Sequence, residues 1–304
     1  MSEETTETKT VKKVSKLKGK DPSETKSGKI KGVIFGKSGV GKTWFALSFP
    51  APYYIDTEGG ADLKHYQARL KKAGGAYMGP QEGSLDFETI IDQMKALASE
   101  QHPYKTLIID SITKVYQTAI ANEAERLGGK DAFGASKKPA IALMRRLINW
   151  TAKLDMNIWF IAHEATEWGM VNDQRQEVGQ VPDAWDKLIY ELDLTLRVEK
   201  RGPSRVAVVR KSRLMGFPDA DQFPLEYADF ATRYGKDFIE ASVAPITLAT
   251  EDQVKQITGL LETVKVDEKE IEKLLTKAGA ENWKELTSAQ ADSTLIWLRN
   301  KTKV

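Results

Sequence analysis

The chain has no cysteine, which excludes disulfide staples and thiolate metal sites. It has only three histidines, at 65, 102 and 163, too scattered to suggest an imidazole metal cluster. No apolar run is long enough to cross a bilayer and no leader pattern opens the chain, so a cytoplasmic protein without a membrane partner is expected. An excess of charge of one sign is also missing: 45 Lys and Arg against 43 Asp and Glu leave +2. Any contact with nucleic acid must then come from local patches rather than from a global field. What is present is apolar material, 41% of 304 residues, enough for one large domain and a small one.

Against this background one stretch stands out, Gly36-Lys37-Ser38-Gly39-Val40-Gly41-Lys42-Thr43. It matches the phosphate-loop pattern G-x-x-x-x-G-K-[ST] at every fixed position. Its context fits, because residues 29–35 read as a strand running into the loop and 43–48 as a short helix leaving it. Glycines let the backbone curl so that its N–H groups face phosphate oxygens, and the helix N-terminus adds a favourable partial charge. Lys42 would neutralise the β- and γ-phosphates, and the Thr43 hydroxyl would ligate Mg²⁺. A nucleoside triphosphate, ATP with Mg²⁺, is the expected ligand.

Residues 1–28 are rich in Lys, Glu, Thr and Ser and read as a disordered arm. From 29 to 243, short apolar strands alternate with amphipathic helices. Strands are expected at 30–35, 53–56, 106–110, 157–162, 192–198 and 206–209, and helices near 86–99, 113–126 and 139–154. This alternation predicts an α/β core with a mostly parallel twisted sheet flanked by helices. Arg201-Gly202-Pro203-Ser204 reads as a hairpin turn, which gives the sheet an antiparallel edge. A linker at 244–250 precedes a small all-helical C-terminal domain at 250–304. Its three helices are announced by the pairs Thr250/Gln253, Asp267/Glu270 and Thr287/Gln290, spaced as capping boxes or close to them. Its core stripes are Val254, Ile257, Leu260 and Leu261; Ile271, Leu274 and Leu275; and Leu295, Ile296 and Leu298.

Four further elements carry chemistry. Leu107-Ile108-Ile109-Asp110-Ser111 is an apolar strand ending in a carboxylate, the Walker B pattern, which would hold Mg²⁺ opposite Thr43. Tyr53-Tyr54-Ile55-Asp56-Thr57-Glu58-Gly59-Gly60 places Glu58 just past a strand end, at the edge where α/β sheets build their sites. A carboxylate there can activate the attacking water, or Asp56 and Glu58 can simply cap a turn. Ile158-Trp159-Phe160-Ile161-Ala162-His163-Glu164 puts His163 at the end of a buried strand, as a γ-phosphate sensor or as a structural histidine. Arg210-Lys211-Ser212-Arg213 follows the last strand in a basic run with Lys200, Arg201 and Arg205. Lys211 and Arg213 can reach a neighbour's triphosphate, form a solvated edge, or touch DNA phosphates.

In this order the five elements resemble the RecA/DnaB-type ATPase core over residues 29–215. The resemblance implies that Glu58 is the catalytic carboxylate and Asp110 the Walker B residue. It puts His163 where that family often has a glutamine switch, and makes Lys211-Ser212-Arg213 similar to a K-x-R pair acting in trans. The compact layout further resembles phage nucleotide-binding proteins of the Sak group, associated with single-strand annealing and recombination. The implied activity is a DNA-stimulated, Mg-ATP-dependent ATPase that works as a homo-oligomer, ring or filament, on single-stranded DNA. On that frame the candidate DNA segments are 127–139, with Lys130, Phe133, Lys137 and Lys138, and 164–183, with Trp168 and Arg175. Arg145 and Arg146 are either further DNA contacts or a solvated helix face. Two other readings use the same core: a ring helicase or translocase module, and a nucleotide-switched adaptor whose C-terminal domain recruits a single-strand-binding protein.

Overall fold

The computed structural model describes residues 28–128 and 134–301. The expected disordered arm, apart from Gly28, and Lys130 and Phe133 of the first DNA segment lie outside the described residues.

Among the described residues, ten strands and eleven α-helices follow one another. The first half runs β1 (Lys31–Phe35), α1 (Lys42–Ala46), β2 (Pro52–Asp56), α2 (Lys64–Ala73), β3 (Ala76–Met78), α3 (Phe87–Ser99), β4 (Thr106–Asp110), α4 (Ile112–Arg126), α5 (Lys137–Lys153) and β5 (Asn157–Ala162). The second half runs β6 (Glu164–Val171), β7 (Gln174–Pro182), α6 (Leu188–Glu191), β8 (Leu194–Arg201), β9 (Ser204–Ser212), β10 (Gln222–Pro224), α7 (Tyr227–Tyr234), α8 (Lys236–Glu240), α9 (Glu251–Thr263), α10 (Glu268–Ala278) and α11 (Ser288–Lys301).

Eight strands form one sheet in the order β10-β9-β8-β1-β5-β4-β2-β3. The pairs from β8 through β3 are parallel, and β9 and β10 add the expected antiparallel edge. This is the expected α/β core with a mostly parallel sheet, and β5 lies between β1, which feeds the phosphate loop, and β4, which ends in Asp110.

Strand parity builds two cores. Ile34, Ile108, Trp159 and Ile161 face one layer with Phe45, Phe49, Leu70, Phe217 and Phe230. Their alternates Val33, Phe35, Leu107, Ile109, Ile158 and Phe160 face the other, with Ile90, Met94, Val115, Met144 and Trp150. Both faces of the central strands are therefore covered, as near-continuous apolar runs require. Gly32 is needed opposite Trp159, because a Cβ there would lie 2.6 Å from the indole.

Several elements differ from expectation. The segment 164–183, a candidate DNA segment, is a two-stranded antiparallel hairpin, β6–β7, outside the main sheet. The strands β3 and β10 and the helix α2 were not anticipated. The 244–250 linker is strapped to the core: Ile246 N–H donates to Ala98 O at 2.7 Å, and Val243, Ile246 and Leu248 pack on the second core.

The C-terminal helices bury Ile257, Leu260, Leu261, Leu275, Leu295 and Leu298 together, but Ile296 points outward, 59% exposed. Thr250/Gln253 and Thr287/Gln290 form reciprocal caps, whereas Asp267 caps through Lys269 N–H. Arg146, read as a DNA contact or a solvated residue, is neither. It is largely buried and ion-paired to Glu88, Glu281 and Glu285.

Candidate nucleotide site

Parallel strands aligned in register deliver their following residues to one edge of the sheet. Here Gly36 after β1, Glu58 after β2, Asp110 at the end of β4 and His163 after β5 all reach that edge. Gly36, Gly39 and Gly41 take positive φ of 151°, 73° and 101°, backbone states that only glycine adopts without strain. At Gly36 a Cβ would also meet Val198 O at 2.7 Å. The curl of Gly36 to Gly41 thus depends on its glycines.

Lys42, buried at the start of α1, donates to Gly36 O at 2.8 Å and Lys37 O at 2.9 Å. Burial pulls its pKa below the ordinary lysine value, opposed by the charges of Asp110, Glu58 and Glu164. The ammonium therefore sits in the mouth of the loop, bonded only to carbonyl oxygens that phosphate could replace.

Thr43 Oγ1 donates to Asp110 Oδ2 at 2.5 Å, and the Tyr54 hydroxyl donates to the same oxygen at 3.2 Å. Burial pushes the Asp110 carboxyl up to about 6, despite these hydrogen bonds, and the Glu58 charge adds to the rise. A buried carboxylate short of positive charge beside a hydroxyl is a fit for a hard divalent cation. Mg²⁺ takes one or two protein oxygens and fills its octahedron with phosphate and water. No cluster of three or more His, Cys, Asp or Glu among the described residues competes as a metal centre. Thr43 and Asp110 would hold the ion, which would neutralise phosphate charge.

Glu58 is held at the edge by two partners. Ser111 Oγ donates to its Oε1 at 2.8 Å, and His163 Nε2 lies 2.8 Å from the same oxygen. Burial works to raise the Glu58 pKa, but the hydrogen bonds from Ser111 and His163, with the charges of His163 and Lys114, hold it below the ordinary value. Asp56 behaves differently: its Oδ1 accepts the backbone N–H of Glu58 and Gly59 at 3.0 and 3.1 Å and shapes the turn. The two readings offered for this segment thus separate by residue, with Asp56 at the turn and Glu58 in the cleft. The Asp110–Ser111 peptide is cis.

Two recesses flank the loop. One, of about 630 Å³, is bordered by Gly36, Lys37, Ser38, Glu58, His163 and Gln180. The other, of about 420 Å³, has Trp44, Tyr66, Leu225, Glu226 and Arg205 around Gly41 and Lys42. Arg205, on β9, packs against Gly41 so closely that a Cβ there would meet its Cδ at 2.8 Å.

Lys211 and Arg213 are not brought to this site. Ser212 pairs with Leu194, at the start of β8, whereas the phosphate loop lies past the end of β1. Both cations instead donate to carbonyls of their own chain, Lys211 to Leu192 O and Arg213 to Tyr190 O. The sequence reading gave no role to Ser111, Tyr54, Tyr66 or Arg205. Only Ser111 carried a visible signal, its place directly after the Walker B aspartate.

With this geometry in place the comparisons are direct. A family model described as an AAA domain matches residues 28–216, well over half of the chain. The chain belongs to the AAA domain family. As a member it is a P-loop nucleoside triphosphatase, with its phosphate loop, Walker B strand and cleft all inside the matched region. The crystal structure of the RadB recombinase is similar over 64% of this chain and 84% of its own, at 19% identity and a TM-score of 0.41. No protein of curated function matches the sequence. Among the described residues, no helix is long and apolar enough to cross a membrane.

Proposed function

We propose that this AAA domain protein is a Mg-ATP-dependent ATPase acting on single-stranded DNA in phage homologous recombination or single-strand annealing. The observation that carries the hydrolytic part is the Glu58 carboxylate, held by Ser111 and His163 at the mouth of the phosphate loop. Its depressed pKa keeps it an anion near neutral pH, and an oriented carboxylate can take a proton from the attacking water. Lys42 and the loop N–H groups would bind the phosphates, with Gly36, Lys37, Ser38, Gly39, Val40 and Gly41 supplying the cradle. Thr43 and Asp110 would hold Mg²⁺. The recess with Tyr66 and Arg205 has the size and character to take the base.

His163 connects the cleft to the β6–β7 hairpin, so loss of the γ-phosphate would be felt there first. Support for the DNA part comes from Lys137 and Lys138 at the start of α5, and from the resemblance. Lys211 and Arg213 would act on the site of another protomer, since they stand at the far end of their own sheet.

The test is steady-state ATP hydrolysis with and without single-stranded DNA. Glu58→Gln should lower turnover by about 10²–10⁴-fold, the range of a lost general base, while leaving nucleotide binding intact. A Glu58→Gln protein that turns over at the wild-type rate removes Glu58 from the mechanism. A wild-type protein whose turnover ignores DNA, and which shows no salt-sensitive DNA binding, ends the recombination reading.

A further inference from the structure

The recess of about 630 Å³ beside the phosphate loop holds a second carboxylate, to which the proposed hydrolysis gives no role. Glu164 borders it together with Gly36, Lys37, Ser38, Glu58 and His163. Its side chain is only 8% exposed, yet its charge is felt at Lys42, the cation placed for the β- and γ-phosphates. A third phosphate bound at Lys42 would bring further negative charge up to this carboxylate. Like charges repel strongly where little water screens them. Glu58 is the carboxylate the reaction uses, and Ser111 and His163 already hold it. Glu164 has neither partner, so for a triphosphate it is a liability unless a cation neutralises it.

That cation is Arg197, and sheet order brings it there. Strand β1 lies between β5 and β8, and Phe35 at its end is aligned with Ala162 on one side and Arg197 on the other. The phosphate loop follows Phe35, and Glu164 stands two residues past Ala162. Arg197 therefore reaches across the end of β1, at the root of the loop, and donates from Nε to Glu164 Oε2 at 2.8 Å. Its Nη1 donates to Glu199 Oε1 at 3.2 Å, which fixes the guanidinium from its own strand. Glu199 has a second cation in Arg201, at 2.8 Å, so it does not claim the whole Arg197 charge. Among the described residues no other cation pairs with Glu164. Arg197 itself borders neither recess.

We propose that Arg197 is a positioning residue for the triphosphate: it holds the Glu164 carboxylate in an ion pair, spares the γ-phosphate its repulsion, and so sets the preference of the site for a nucleoside triphosphate over the diphosphate. It acts through Glu164 and touches no phosphate. The γ-phosphate is the one concerned because this recess lies on the Glu58 side of the loop, whereas the recess around Gly41 lies on the other. A diphosphate leaves the Glu58 side empty and is indifferent to Glu164. This deepens the proposed function and rests on that reading only for the placing of the γ-phosphate.

Titration calorimetry with ADP and with a non-hydrolysable ATP analogue, both with Mg²⁺, tests it. Arg197→Ala should weaken the analogue about tenfold more than ADP, because Glu164 is then an unpaired charge beside the third phosphate. Glu164→Gln should shift the ratio the other way, since Arg197 is left with charge to spare. The double variant should return the ratio to within about threefold of wild type, because neither charge remains. A merely structural arginine would give no such rescue. An Arg197→Ala protein that loses both nucleotides equally overturns the proposal, as does a double variant no better than Arg197→Ala. Should Arg197→Ala fail to fold, Glu164→Gln decides alone, and an unchanged ratio overturns the proposal. A chain that shows these ratios yet hydrolyses ATP without regard to DNA would sink the functional reading and leave this one standing. A DNA-stimulated ATPase whose ratios do not move would do the reverse.

Discussion

At the scale of single residues the site turns on one oxygen. Glu58 Oε1 receives both Ser111 and His163, so its charge and its direction are fixed together. Both contacts stabilise the anion more than the acid, and they hold the pKa down against burial. The sign of the consequence is definite. With Glu58 as the base, hydrolysis falls as pH drops through its pKa, because the proton it must accept is then already present. Removing Ser111 or His163 raises that pKa. The acid limb of the kcat/KM profile should therefore move to higher pH in Ser111→Ala and in His163→Ala, and furthest in the double variant. An acid limb that does not move in any of the three would show that Glu58 is not the group titrating.

At the scale of elements, a short polar tether decides how the C-terminal helices sit. Glu285, 3% exposed, accepts Arg146 at 2.9 Å and Lys95 at 3.0 Å, and takes the N–H of Glu281. Lys153 adds bonds to Gly279 O and Glu285 O at 3.0 and 3.1 Å. Without Glu285, Arg146 keeps Glu88 and Glu281 and Lys95 keeps Asp92, so the loss falls below the about 3–5 kcal/mol of a fully stranded buried charge. Glu285→Ala should therefore loosen the docking of α9–α11 on α3 and α5, seen as faster amide exchange there with the central sheet unchanged. Burial pushes the Glu285 pKa up, but the N–H of Glu281 and the cations overcome it and leave it depressed. A depressed carboxylate contributes stability above its unfolded pKa and loses it as pH falls, so this docking should weaken in acid and Glu285→Gln should lose that acid sensitivity.

The same scale shows what was legible in the sequence. The strands β1, β4 and β5 could be read because each is buried on both faces and ends in a chemical motif. Helix α2 could not, because a helix that buries Leu70 alone has almost no apolar period. The hairpin was hidden because neither of its faces is buried, although Asn172-Asp173, at φ of 51° and 60°, is the kind of turn that closes one. Arg146 was misjudged because its partners come from residues 88, 281 and 285, which no local pattern brings together. In the cleft, Glu58, Asp110 and Lys42 were visible as strand-end or motif residues, while Tyr54 and Arg205 reach it only through sheet order.

At the scale of the whole molecule, two cores share one sheet, and the ligand edge is where both end. The first core holds α1, whose Phe45 packs with Phe49, Trp159 and Phe230 in edge-to-face contacts. Lys42 and Thr43 open that same helix, and Asp110 and Glu58 leave strands that separate the two cores. A bound Mg-nucleotide would thus tie the loop helix to the strand ending in Asp110 across the sheet, and its binding energy would be added to the folded state alone. At a ligand concentration 100 times Kd this linkage is worth about 2.7 kcal/mol. The melting transition should rise by several degrees with Mg-ATP or a non-hydrolysable analogue. It should rise less when EDTA removes the ion, because Asp110 then keeps its uncompensated burial beside the phosphates. Lys42→Ala should abolish the rise, and Thr43→Ala should abolish only the part that depends on Mg²⁺. Calorimetry of the four combinations separates the two contributions, and a Thr43→Ala protein that keeps the full Mg²⁺-dependent increment would take the ion away from the Thr43–Asp110 pair.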